Sequence, residues 1–145
     1  MADWRENLLE SDAEVQDLLR DVRTVAVLGI KTEAQAGQPA FYVPEAALRH
    51  GLTVIPVPVY YPDVTTILGQ PVFRTLAAIP GPVDLVDVFR RPQDLPAHVD
   101  DLLAKRPKAV WLQSEIRHDE VAERLAREGI QVVQDRCLMV ELGRL

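Results

Sequence analysis

Apolar positions along this chain follow two rhythms that take turns. Val15, Leu18, Leu19 and Val22 recur at i, i+3, i+4 and i+7, the spacing of one buried helix stripe. Ser11 stands before that stripe with Glu14 three residues later, a capping-box pattern that starts a helix there. Thr24-Val-Ala-Val-Leu-Gly29 breaks the rhythm with a continuous apolar run ending in glycine, which predicts a strand buried on both faces. Pro39 opens a second helix that runs to His50 and stops at Gly51, with Pro44 expected to delay its start or kink its first turn. Further strands are predicted over 53–57, 83–89, 108–113 and 130–134. Leu95, Val99, Leu102 and Leu103 stripe a helix between strands three and four, and 117–128 form another that Gly129 ends. Residues 58–71 read as irregular and 137–142 as a short helix or strand.

Strands alternating with helices imply βαβ units and a parallel sheet. Right-handed crossovers put helices on both faces. The expectation is an α/β, doubly wound, Rossmann-like five-stranded parallel sheet with strand order 3-2-1-4-5, forming a single domain over 1–145. In such sheets ligands bind beyond the carboxyl ends of the strands, where the order reverses. The segments after strands one to four are therefore the places to search.

Composition narrows the function classes. The chain has 145 residues, 48% hydrophobic and 26% charged, the make-up of an ordinary globular protein. Its apolar runs are strand-sized, well below the ~18 residues of a membrane span. The first residues, Met-Ala-Asp-Trp-Arg-Glu-Asn, show no basic segment followed by an apolar one, so no secretory signal is read and the expected address is the cytoplasm. The single cysteine, Cys137, excludes an internal disulfide and a multi-cysteine zinc site. A net charge of −6 repels phosphate backbones, so a nucleic-acid partner is not expected. A local basic cluster can still hold a small phosphorylated ligand.

The strand ends supply that cluster. Gly29-Ile-Lys-Thr32 follows strand one, where glycine admits close backbone approach and the next helix offers N–H groups to an anion. A valine at Gly29 is expected to block a ligand while leaving the fold largely intact. The GxGxxG fingerprint is absent. Pro56-Val-Pro-Val-Tyr-Tyr-Pro62 after strand two carries no acid for a ribose 2′-OH, which counts against NAD. Phe89-Arg90-Arg91-Pro92 after strand three presents two guanidiniums suited to phosphate, or to surface carboxylates. Asp87, inside an apolar strand, must be hydrogen-bonded or belong to a site, and a bond to a neighbouring loop is the expected role. His50, His98 and His118 form no HxH or HxxxH pair, so no metal ligand is assigned. No nucleophile–base constellation, GxSxG or GxxxxGK[ST] is present, so no catalytic residue is assigned.

Four stretches together resemble a known family: Val25-Ala-Val-Leu-Gly29, Val54-Ile-Pro-Val-Pro58, Asp84-Leu-Val-Asp-Val-Phe-Arg-Arg-Pro92, and Val110-Trp-Leu-Gln113 with Asp135-Arg-Cys-Leu-Met139. The chain is similar to the small stand-alone CoA-binding proteins, Rossmann-like relatives of the CoA-binding domain of the succinyl-CoA synthetase α subunit. The resemblance implies a pyrophosphate site at Gly29, Ile30, Lys31 and Thr32 with the helix from Pro39 behind it. It implies an ADP site at Val57, Pro58, Val59 and Tyr60 beside Phe89, Arg90 and Arg91. The pantetheine arm would run toward Gln113. The ligase relatives carry a second domain with a phosphorylated histidine, for which this chain has no room, so binding of CoA or an acyl-CoA without catalysis is the leading expectation. An NAD(P)-dependent oxidoreductase and a redox-sensing protein using Cys137 are the alternatives. A protein partner is left open.

Overall fold

The computed structural model describes residues 3–145; Met1 and Ala2, the first residues of the domain expected over 1–145 and part of the leader reading, lie outside the described residues. A short 3-10 turn, Trp4–Asn7, precedes helix α1, Asp12–Arg20. Ser11 caps α1 through the Glu14 N–H while the Glu14 side chain returns to the Ser11 N–H, the reciprocal box expected there. Strand β1, Thr24–Leu28, leads to helix α2, Pro39–Arg49, and strand β2, Thr53–Val57. The stretch expected to be irregular contains a two-residue-per-strand hairpin, β3 (Thr66–Ile67) and β4 (Gln70–Pro71). It turns on Leu68 and Gly69, both at positive φ. Strand β5, Leu85–Val88, is followed by a 3-10 segment, Pro92–His98, and helix α3, Val99–Lys105. Strand β6 (Ala109–Leu112), helix α4 (Asp119–Arg127), strand β7 (Gln131–Val133) and helix α5 (Leu138–Gly143) complete the chain.

The five long strands form one parallel sheet in the order β2-β1-β5-β6-β7. Alternating side chains divide the core. Val25, Val27, Leu85 and Trp111 face α1, α2 and α5, while Ala26, Leu28, Val86, Val110 and Leu112 face α3 and α4. The α/β class, the five parallel strands and the helices on both faces are as expected, and the fold is Rossmann-like.

The strand order corrects the expected 3-2-1-4-5. Counted as the five expected strands it is 2-1-3-4-5, with the third strand beside the first and the second at the edge. Pro56 gives the physical reason. It has no N–H to donate, and proline inside a strand is confined to edges. Its carbonyl points away from β1 and accepts the Phe73 N–H at 3.0 Å, so its missing donor faces outward as well. An interior second strand would have lost a ladder bond there. The order now reverses between β1 and β5, which places the switch point at Gly29 and Phe89.

Pro44 also acts differently from expectation. Helix α2 starts at Pro39 and passes through Pro44. Pro44 cannot donate to the Ala40 carbonyl four residues back. The Lys31 N–H takes that carbonyl instead, at 3.1 Å. The proline thus frees an acceptor that ties the loop after β1 to α2.

Candidate functional site

The site grows from the two strand ends that part at the switch point. The Gly29 N–H donates to the Val57 carbonyl and the Phe89 N–H to the Leu28 carbonyl, each at 2.9 Å, so β1, β2 and β5 remain laced together one residue past their ends. Gly29 has φ +87°, and a Cβ there would lie 2.3 Å from the Phe89 carbonyl oxygen and 3.2 Å from Arg90 Cδ. Backbone fills the space that a side chain would need. A valine at Gly29 therefore disturbs the β1–β5 junction itself, contrary to the expectation that it would leave the fold intact.

The loop that follows is shaped by its own residues. Ile30 is buried and belongs to the core. The Lys31 ammonium donates to Gln38 Oε1, just before α2. Thr32 caps a single 3-10 turn, Glu33–Gln35: its Oγ1 accepts the Ala34 N–H at 3.3 Å and donates to Gln35 Oε1 at 2.7 Å. Pro39 is exposed at the first position of α2.

Beyond β2, Val57 and Pro58 are buried, whereas Val59 and Tyr60 are exposed, Tyr60 at 62%. Arg90 crosses from β5 toward them. Its guanidinium lies 5.6 Å from the Tyr60 ring centroid, and Nη1 donates to the Tyr60 hydroxyl at 3.4 Å. Nε donates to His98 Nε2 at 3.1 Å, and Nη2 sits 3.7 Å from Asp94 Oδ2. The side chain is only 15% exposed. Burial, and then the Arg90 charge, pull the His98 pKa down, which suits His98 as the neutral acceptor of the Arg90 N–H. Arg91 is 71% exposed and pairs with the same Asp94 at 2.9 Å. The structure brings Gly29, Val57, Tyr60, Phe89 and Arg90 together. Lys31 turns to Gln38, whereas Arg90 and Arg91 share Asp94, so the three cations do not converge on one open patch.

A cleft of about 260 Å³ opens where β5 and β6 end, walled by Pro39, Tyr42, Phe89, Ile116, Gln113 and Cys137. Wider grooves of about 470 and 500 Å³ lie elsewhere, one along β7 and one near Gly51 and Leu52, before β2 begins. Neither touches the loops that follow β1, β2 or β5. Beneath the site, Asp87 is fully buried between Val27 of β1 and Trp111 of β6. Among the described residues neither of its oxygens has a hydrogen-bond partner, so the expected bond to a loop is not made there. Burial raises its pKa well above the ordinary value, because desolvation disfavours the charged carboxylate.

A family model described as a CoA binding domain matches residues 23–143. The chain belongs to this CoA-binding family. It is 29% identical to the Bacillus subtilis (strain 168) protein YneT over 130 residues, 90% of this chain and 93% of that protein. A Thermus thermophilus structure, cell-free ID.343, superposes with TM-score 0.84 at 41% identity, covering 93% of this chain and 98% of the other. A dinucleotide-forming acetyl-coenzyme A synthetase from Ca. Korarchaeum cryptofilum shares the fold at 17% identity and TM-score 0.63. The match covers 83% of this chain and 27% of the synthetase.

Several members of the site were not singled out from the sequence of this CoA-binding domain. Gln38 and Asp94 carry no spacing that marks them, Tyr42 is marked only as part of the helix that begins at Pro39, and His98 enters the sequence only as a histidine without a metal-ligand pair. The proline at Pro44 was visible, but its use as a tether for Lys31 depends on where α2 lies.

Proposed function

We propose that this protein binds CoA, or an acyl-CoA, across the carboxyl ends of β1, β2 and β5 and does not itself transform it. The observation that carries the reading is Gly29, a residue with no room for a Cβ at the switch point of a CoA-binding-family sheet. A doubly wound sheet takes its ligand at that crevice. In this reading Gly29, Ile30, Lys31 and Thr32 present the loop to the pyrophosphate, with the start of α2 at Pro39 adding its positive dipole end. The exposed apolar pair Val59 and Tyr60, backed by Val57 and Pro58, shelters the adenine. Phe89 walls the passage to the cleft. Arg90, held by His98 and Tyr60, meets the 3′-phosphate, with Arg91 at the rim. The domain works as one unit over 1–145 in the cytoplasm, with neither nucleic acid nor membrane as partner.

Titration calorimetry on refolded, ligand-free protein tests this, with CoA, 3′-dephospho-CoA and NADP in parallel. The expected result is strongest binding by CoA and a loss of about tenfold or more for the dephospho form, the scale of one charge-assisted bond. Preference for NADP, or equal affinity for both CoA forms, overturns the assignment.

A further inference from the structure

Cys137 is the one cysteine of the chain and is half-buried on the wall of the cleft at the ends of β5 and β6. Both peptides that flank it are fastened to the β6 end of the sheet. Trp111 Nε1 donates to the Arg136 carbonyl at 2.8 Å, and the Leu138 N–H donates to Gln113 Oε1 at 2.9 Å. The thiol is therefore held in a fixed place rather than carried on a loose segment.

Gln113 points to a ligand independently of the cysteine. It is 4% exposed and lines the cleft. Leu138 occupies its carbonyl oxygen, but its NH₂ group donates to nothing among the described residues. A donor that reaches the cleft wall with no protein acceptor suits a molecule that brings one. The surrounding wall of Pro39, Tyr42, Val43, Phe89 and Ile116 is otherwise largely apolar. A slender chain with an amide carbonyl for Gln113 and a sulfur at its tip for Cys137 satisfies both features, and the pantetheine arm of CoA is built that way.

We propose that Cys137 is a thiol-exchange site that captures the CoA sulfur from a CoA disulfide as a mixed disulfide; this rests on the CoA-binding reading. The Cys137 thiolate attacks one sulfur of the CoA disulfide. The new Sγ–S bond forms as the old S–S bond breaks, and the second CoA leaves as a thiolate that takes up the proton Cys137 released. One thiol and one disulfide are consumed and one of each is produced, so no further oxidant is required.

The test uses the full-length protein, reduced and then freed of reductant, mixed with CoA disulfide or with glutathione disulfide and followed by intact mass. One CoA per chain is expected. The rate should saturate with CoA disulfide and exceed that with glutathione disulfide by at least about tenfold, the advantage of a bound reactant. Dithiothreitol should reverse the adduct, and protein unfolded in urea should lose the preference. Equal rates with the two disulfides, or no adduct in the folded protein, overturn the exchange site. CoA affinity of the reduced protein, measured alongside, separates the two readings. CoA binding without preferential exchange removes only the Cys137 role, whereas no CoA binding at all removes both.

Discussion

Three glycines allow the demand for a bare backbone at the switch point to be measured, because they separate conformational strain from steric exclusion. Gly37 has no left-handed φ, and nothing lies within 4 Å of its would-be Cβ. Gly51 has φ +101° with the same open space, and Gly29 has φ +87° with the Phe89 carbonyl oxygen 2.3 Å away. Gly37→Ala should be neutral or stabilise by up to ~1 kcal/mol, through the unfolded chain. Gly51→Ala carries only the left-handed strain, about 1–2 kcal/mol. Gly29→Ala carries that strain plus a displacement of roughly 1 Å between β1 and β5, which costs a further ~1–3 kcal/mol in a packed interior. Its total is about 2–5 kcal/mol, a fall in Tm of roughly 5–20 °C for a chain of this size. Urea unfolding followed by far-ultraviolet circular dichroism reads all three, with an unchanged slope confirming that stability alone has moved. CoA affinity should fall only in Gly29→Ala. A Gly29→Ala loss no larger than that of Gly51→Ala would refute the claim that backbone crowding shapes the site.

Other parts of the site give further tests. Arg90→Ala should weaken CoA binding about tenfold to a hundredfold, and the more exposed Arg91→Ala by less, as titration calorimetry would show; the reverse ranking would move the 3′-phosphate to the rim. Asp87→Val should stabilise the protein at neutral pH by about 1–3 kcal/mol, since it removes a buried carboxyl with no partner. The raised pKa of Asp87 also sets a pH dependence. Below the unfolded value near 3.8 both states hold the proton and stability is complete. As pH rises from there toward the folded pKa, only the unfolded state ionises, so stability declines. Urea melts across that range should show the decline flattened in Asp87→Val; parallel curves for the two proteins would count against it. Gln113→Glu keeps an oxygen for the Leu138 N–H but removes the cleft donor, so it should slow capture of CoA disulfide about tenfold or more; an unchanged rate would show that the NH₂ group is idle.

Much of this protein is written in local pattern. The capping box at Ser11 and Glu14, the buried stripe of α1 and the runs that became β1, β5 and β6 depend on neighbours within a turn or a strand, and the sequence alone predicts them. The place of Gly29 and Arg90 at the strand ends is legible in the same way, because both follow apolar runs directly. Residues 66–71 were harder to read, since a hairpin of two-residue strands offers too few positions for an alternating pattern.

The sequence by itself determined the α/β class, the number of parallel strands and the segments that flank the crevice. Side-chain period and chain breakers act over short distances, and they suffice for that. Only the tertiary structure decided the order of the strands, the tether from Ala40 to Lys31, the grip of His98 and Asp94 on Arg90, and the meeting of Gln113 with Cys137 on one wall. Each joins residues through space, by a backbone acceptor left free, a shared carboxylate or an amide within reach of a distant peptide. Strand order follows from which edges can satisfy their donors and acceptors, and Pro56 shows how one missing N–H sends a strand to the outside.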